Sequence, residues 1–303
     1  KYDLGSLKKE KEVIQLEAQY TNQSDVSVGF IGAGNYSGKV LIPNLKKLSV
    51  DLQIIANRGS VNATYYAKKF GFKKITTNNK NVFNCIDINT IFVATRHDSH
   101  ADLVIKALDA SKNIFCEKPL AINIDQLQLL DAAYKNAIKK NKYSPKLMVG
   151  FNRRFSPLIE RVERLLQNEM SPKVIIMTVN AGEIDSDSWV QSKEIGGGRI
   201  IGEACHFIDL ARFLSKSKIT KWDVFGMKKS SFNDDKVIIN LQFEDGSIGV
   251  INYLANGHKS FDKERIEIFC AGKIVQLNNF KSLKTWGCNG YSKTLLKQNK
   301  GNN

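Results

Sequence analysis

The sequence predicts an α/β protein: a Rossmann-type parallel-sheet domain, followed by an α+β domain with an open, mainly antiparallel sheet. Three observations carry this. From Val26 to Val149, short apolar runs alternate with helical spacing, as in strands covered on both faces. The first run ends in a glycine-bearing turn, Gly32-Ala33-Gly34. Beyond Trp222, short strands follow one another through tight turns, without helices between them.

Residues 1–25 are polar and weakly patterned, and they read as a linker-like segment. The first domain then spans 26–150. Val26–Ile31 is a strand, and Val40–Leu48 has helical spacing. Leu52–Ala56, Thr90–Ala94, Asn113–Cys116 and Lys146–Val149 read as further strands. Between them, Val61–Phe70, Ser99–Ala110 and Ile124–Ala137 read as helices. The second domain spans 151–303. Pro157–Asn168 is helical in pattern, Val174–Asn180 is a strand, and a helix from about Gly202 carries Cys205, Ile208, Leu210 and Phe213. Strands then follow at 222–227, 237–243, 248–254, 265–269 and 273–277. Glu244-Asp245-Gly246-Ser247 and Ala271-Gly272 supply the hairpin turns.

The chain has 303 residues and a formal net charge of +15. Lysine pairs such as Lys8-Lys9, Lys73-Lys74 and Lys139-Lys140 recur along the whole chain, which suits solvated faces. No zinc-finger or RNA-binding motif accompanies them and no apolar run approaches a membrane span, so neither nucleic acid nor membrane is expected as a partner. An anionic substrate or cofactor is the next use for the excess. Five widely spaced cysteines without C-x-x-C argue against a disulfide framework and for a reducing, cytoplasmic setting.

Gly32-Ala33-Gly34-Asn35-Tyr36-Ser37 lies where the first strand meets the first helix. The first glycine permits the tight turn and the second admits a pyrophosphate. Ser37 is small enough for helix to pack on strand. The helix N-terminus then faces the phosphates. The second strand ends in Ala56-Asn57-Arg58-Gly59-Ser60. No carboxylate stands there to repel a 2′-phosphate, while Arg58 and Ser60 suit one. NADP is therefore favoured over NAD, with Asn57 serving the ribose of either. Thr95-Arg96-His97-Asp98-Ser99-His100 follows the strand at 90–94. No third ligand follows at helical spacing, so no metal is expected. His97 and His100 either contact the cofactor or orient their loop.

With Glu117-Lys118-Pro119-Leu120, the chain resembles the Gfo/Idh/MocA family of NAD(P)-dependent oxidoreductases. The features that carry the resemblance are Gly32-Ala33-Gly34-Asn35, Thr95 with His100, and Glu117-Lys118-Pro119. They continue with Asn152-Arg153-Arg154-Phe155 and Gly196-Gly197-Gly198 followed by His206 and Asp209. It covers about residues 26 to 290. The resemblance implies hydride transfer between a nicotinamide cofactor and a hydroxyl or keto carbon of a sugar, inositol or sugar derivative. It implies that Lys118 reaches cofactor and substrate, beside Glu117, Thr95 and Arg96 around the cofactor, and that His206 is the acid/base. Arg153, Arg154, Trp189 and Glu203 are the substrate-side candidates.

Two departures stand out. The family usually has an aspartate four residues before the histidine. Here that position is Gly202, with Glu203 about 100° round the helix. Arg96 and His97 replace the usual proline and asparagine. These departures sustain a second reading, a catalytically inactive dinucleotide- or sugar-binding regulatory protein of the same fold. The resemblance also suggests a homo-oligomer formed through the antiparallel sheet. It further suggests a segment excised from a fusion behind an alcohol-dehydrogenase-like domain, its C-terminal part truncated.

Overall fold

A computed structural model of the protein describes residues 13–16, 25–140, 144–227, 235–288 and 293–302, without the side chain of Ser60. The chain divides into two compact units between Gly150 and Phe151.

The first unit is built on seven strands: β1 (Val13–Gln15), β2 (Ser27–Ile31), β3 (Asp51–Ala56), β4 (Lys74–Thr76), β5 (Thr90–Val93), β6 (Asn113–Cys116) and β7 (Leu147–Val149). Their order is β1-β4-β3-β2-β5-β6-β7. All neighbours are parallel except β1, which runs antiparallel to β4. β2 is buried at every position, as a central strand covered on both faces must be. Its helices are α1 (Ile42–Lys47), α2 (Ser60–Phe70), α3 (Lys80–Phe83), α4 (His100–Asp109) and α5 (Ile124–Lys140). The strand order reverses between β2 and β5. Their carboxyl ends therefore open the crevice where doubly wound sheets take ligands.

Two expectations are corrected here. Val13–Gln15 is not linker but an edge strand, paired with Lys74–Thr76. Three residues at a sheet edge need no alternating apolar face, so they leave no periodic signal. Of the rest of the expected linker, 1–12 and 17–24 lie outside the described residues. The helix expected from Val40 starts earlier, through a π-helical turn at Ser37–Leu41. Such turns concentrate at functional sites.

The second unit has eight strands: β8 (Val174–Asn180), β9 (Ile219–Gly226), β10 (Lys236–Phe243), β11 (Ile248–Leu254), β12 (Glu264–Cys270), β13 (Lys273–Asn278), β14 (Ser282–Trp286) and β15 (Lys293–Leu295). The order is β15-β14-β13-β12-β8-β11-β10-β9. Only β8 and β11 pair in parallel. Along β10, Val237, Ile239, Leu241 and Phe243 are buried while Ile238 and Gln242 face outward, the period of two expected of a one-sided sheet. The buried set packs with α6 (Pro157–Leu165) and α7 (Cys205–Ser215), chiefly through Leu158, Val162, Phe207 and Leu210. A second π-helical turn, Ile200–Ala204, leads into α7. No helix among the described residues is long and apolar enough to cross a membrane.

Candidate active site

The glycine turn sits at the carboxyl end of β2. Gly32 has φ +107°, and a Cβ there would stand 2.3 Å from the Ala94 carbonyl oxygen, so only glycine fits. Around Gly34 the opposite holds, because a Cβ would meet no atom within 4 Å. The second glycine is thus not required by the protein's own packing. It leaves the backbone open on the side of the crevice, as the approach of a pyrophosphate requires. Ser37 is buried, as a helix–strand contact demands. The tightest packing falls one residue later, where a Cβ on Gly38 would lie 1.9 Å from the Tyr66 ring of α2. Asn35 and Tyr36 are exposed beside the turn.

Asn57 is committed to this loop. Its Oδ1 accepts from the Ala33 N–H at 3.1 Å, and its Nδ2 donates to the Gly59 carbonyl at 2.8 Å. Its carboxamide thus shapes the glycine turn. Arg58 is exposed just beyond. Ser60 opens α2, and its side chain lies outside the described residues.

His100 is fully buried, which removes it from the cofactor-contacting set. Its Nδ1 lies 2.8 Å from the Pro119 carbonyl oxygen and its Nε2 3.1 Å from that of Thr95. It ties the loop after β5 to the loop after β6, so it orients the loop. Burial holds its pKa below the ordinary value, against the raising effect of both carbonyls. His97 is also buried, with its ring 5.9 Å from that of His100. The hydroxyls of Thr95 and Ser99 share a hydrogen bond of 2.6 Å, and Ser99 Oγ donates to the Arg96 carbonyl.

Glu117 follows β6 with its carboxyl against Gly150, where a Cβ would approach Oε1 to 2.9 Å. Burial pushes this carboxyl up to about 7, against the lowering effect of Lys118. Lys118 is half-buried and precedes a cis proline, Pro119. Gly32, Thr95, Glu117 and Lys118 thus gather where β2, β5 and β6 end.

In the second unit, His206 lies one residue into α7. It is 5% exposed, and the Phe151 ring meets it edge-on at 6.0 Å. The glycine run before it has separate reasons at each position. A Cβ on Gly196 would collide with the backbone of Trp189 and Val190, while Gly197 and Gly198 have φ of +74° and +80°. Gly196 therefore lets the backbone of the half-buried Trp189 segment pack directly on the glycine run.

Three substrate-side candidates are otherwise engaged. Arg153 is buried, and its Nη2 donates to the fully buried Glu264 at 2.9 Å, so it belongs to the interior of the unit. Lys300 holds the other oxygen of Glu264 at 2.7 Å. Arg154 forms a two-pronged pair with Asp209 of α7, which explains why these two motif residues occur together. Glu203 receives hydrogen bonds from Lys263 Nζ at 2.7 Å and Tyr253 Oη at 2.5 Å, with Arg199 Nη2 at 3.4 Å. Burial alone would raise its carboxyl, but Lys263, Tyr253 and Arg199 outweigh it and hold the group at about 2. The partners Arg199, Tyr253, Lys263 and Glu264 leave no motif in the sequence. Only their pairing in the fold reveals them.

A glycine turn open at Gly34, an acidic-lysine-proline loop tied to the neighbouring strand end, and a second sheet unit define a dinucleotide-dependent oxidoreductase. Comparison with known proteins agrees. Residues 26–144 match the oxidoreductase family, NAD-binding Rossmann fold, of the Gfo/Idh/MocA group, and residues 173–275 match the Gfo/Idh/MocA C-terminal domain. The chain belongs to the Gfo/Idh/MocA family and is an oxidoreductase of that family.

It is 27% identical to the uncharacterized oxidoreductase YrbE of Bacillus subtilis, over 80% of this chain and 71% of that protein. It is 24% identical to a myo-inositol 2-dehydrogenase of Thermotoga maritima, over 80% and 72%. A solved levoglucosan dehydrogenase in complex with NADH and L-sorbose superposes with a TM-score of 0.74 at 21% identity. That match covers 91% of this chain and 82% of that one, and it shows the shared fold.

Proposed function

We propose that the protein transfers hydride between NADP, or NAD, and a hydroxyl-bearing carbon of a sugar, inositol or sugar derivative. The observation that carries this is the placement of Lys118. It stands on the loop after β6, held by His100 at the carboxyl edge of the same sheet whose β2 ends in the glycine turn, with Gly34 open. The names of relatives, levoglucosan and inositol dehydrogenases among them, support the substrate class.

A bound nicotinamide supplies or accepts the hydride. The chain's own residues do the rest. The glycine turn and the first helix hold the phosphates, and Arg58 with Ser60 favours a 2′-phosphate. Lys118 places an ammonium at the substrate oxygen, stabilising negative charge as the hydroxyl proton leaves. His206 takes or returns that proton, as imidazole does near neutrality. Residues 26–150 form the dinucleotide domain and 151–303 the substrate and oligomerisation domain. Arg96 and the general basic excess suit an anionic substrate. On the outward face of the second sheet, Ile248, Val174, Phe269, Ile274 and Trp286 align across five strands in register, which supports a homo-oligomer formed through that sheet. Five free cysteines suit the cytoplasm.

The test is turnover of a panel of cyclitols and sugars with each cofactor, alongside dinucleotide binding followed by fluorescence. Lys118→Ala should abolish most turnover while binding persists. His206→Ala should slow it by roughly 10²–10⁴. Arg58→Ala should weaken NADP more than NAD. A wild type that binds dinucleotide but turns over nothing in the panel would favour the regulatory reading. That reading draws support from Glu203, whose three cationic and phenolic partners leave it no acid role.

A further inference from the structure

We propose that β9 is a self-pairing edge through which two copies of this chain join their second-unit sheets into one. The proposal is independent of the reaction catalysed. β9 closes the eight-stranded sheet, and among the described residues no strand pairs with its outer side. It is eight residues long, and Trp222, Val224 and Phe225 on it are 69%, 51% and 59% exposed. A long, apolar, uncovered edge is a template for another strand. Isolated folds blunt such edges by shortening, covering, bulging or charging them; β9 is long, and its two charges, Lys221 and Asp223, are of opposite sign.

What selects a second copy as the occupant is the charge order. Lys221 and Asp223 flank Trp222, and neither forms an ion pair with another described residue. In an antiparallel pair centred on Trp222, each Lys221 faces the other copy's Asp223 and each Trp222 faces its counterpart. The strand is therefore complementary to itself about a two-fold axis, as an isologous interface requires.

The hydrogen-bond phase permits this register. The Met227 N–H donates to Lys236 of β10 at 3.0 Å. Alternation along the strand then turns the backbone groups of Phe225, Asp223 and Lys221 toward β10. Those of Val224 and Trp222 turn outward. In agreement, the Val224 N–H is met not by β10 but by the Asp223 carboxylate, at 3.0 Å. Centring on Trp222 pairs outward-facing residues with each other. It also leaves Lys221 opposite Asp223 at a non-hydrogen-bonded position, where side chains lie closest. The regular stretch ends at the bulge opposite Gln242 and Phe243.

The experiment measures the mass of the whole chain in solution by light scattering at matched concentrations, with circular dichroism confirming each variant's fold. Asp223→Lys sets like charges opposite each other twice, and should weaken association by about tenfold or more. Val224→Pro removes an outward donor without touching the β10 ladder and should act likewise. Wild type should run at twice the mass of either variant. The double exchange Lys221→Asp with Asp223→Lys should restore the wild-type mass. A wild type with the same mass as both variants, or a double exchange that stays at the variants' mass, overturns the proposal.

Discussion

The Nδ1 of His100 stands 2.8 Å from the carbonyl oxygen of Pro119, and its other ring nitrogen faces the carbonyl of Thr95. A neutral imidazole carries one N–H, so it donates to only one of these carbonyls at a time. Yet burial favours the neutral form. Replacing the ring leaves two buried carbonyls without it. His100→Gln should therefore destabilise the protein by about 1–3 kcal/mol in denaturant unfolding. The folded pKa lies below the unfolded one, so the stability linked to this group is present above about 6.5 and declines as pH falls through that value. The variant should lack that decline.

The two glycines of the turn should separate fold from ligand. Gly32→Ala drives a Cβ into the Ala94 carbonyl at a positive φ and should destabilise by about 2 kcal/mol or more. Gly34→Ala meets nothing and should leave the thermal midpoint nearly unchanged. Dinucleotide titration should nonetheless weaken by tenfold or more, because the methyl would stand in the proposed phosphate approach. A Gly34 variant that binds as wild type would move the phosphate site elsewhere.

These positions also show what a sequence displays. The alternation of strands and helices, the turn at Gly32 and the hairpin at Glu244–Ser247 depend on neighbours in the chain, so they were legible. β4 and β15 hold one apolar residue each and α3 is a single turn, so, unlike the equally short but apolar β5, β6 and β7, they carry too little pattern to read. The role of Asn57 depends on a bond to Ala33, 24 residues away. That of Arg153 depends on Glu264, 111 residues away. Motif positions locate such residues, but only the folded partners decide whether a side chain faces a ligand or the interior.

Glu117 gives a pH prediction of the opposite sense to the usual carboxylate. Its folded pKa is raised to about 7, above the ordinary value of 4.5. Between these values the unfolded chain ionises while the folded one resists. Stability linked to this group is therefore lost as pH rises through the window. Glu117→Gln keeps the shape against Gly150 without the charge. It should gain stability relative to wild type across that window, on the order of 2 kcal/mol above it. Equal pH profiles for the two proteins in equilibrium unfolding would show that the carboxyl is already solvated.

Glu203 behaves as its counterpart in the second unit. In the sequence it stands about 100° round the helix from the position where the family usually has an aspartate. The structure gives it a structural role at the π-helical turn that leads to His206, where Lys263, Tyr253 and Arg199 converge on it. Removing its charge leaves Arg199, itself 5% exposed, with one fewer carboxylate. About one-fifth of the Glu203 side chain is exposed, which screens the pair and tempers the effect. Glu203→Gln should therefore destabilise by about 1–3 kcal/mol at neutral pH. Here the folded pKa, about 2, lies below the ordinary 4.5. The contribution is present above 4.5 and is lost as pH falls through about 2, so the gap between wild type and variant should close across that window. Denaturant unfolding of both proteins at neutral pH and within the window reads this directly. A gap that stays constant with pH would assign the loss to packing at the turn rather than to the carboxylate's charge.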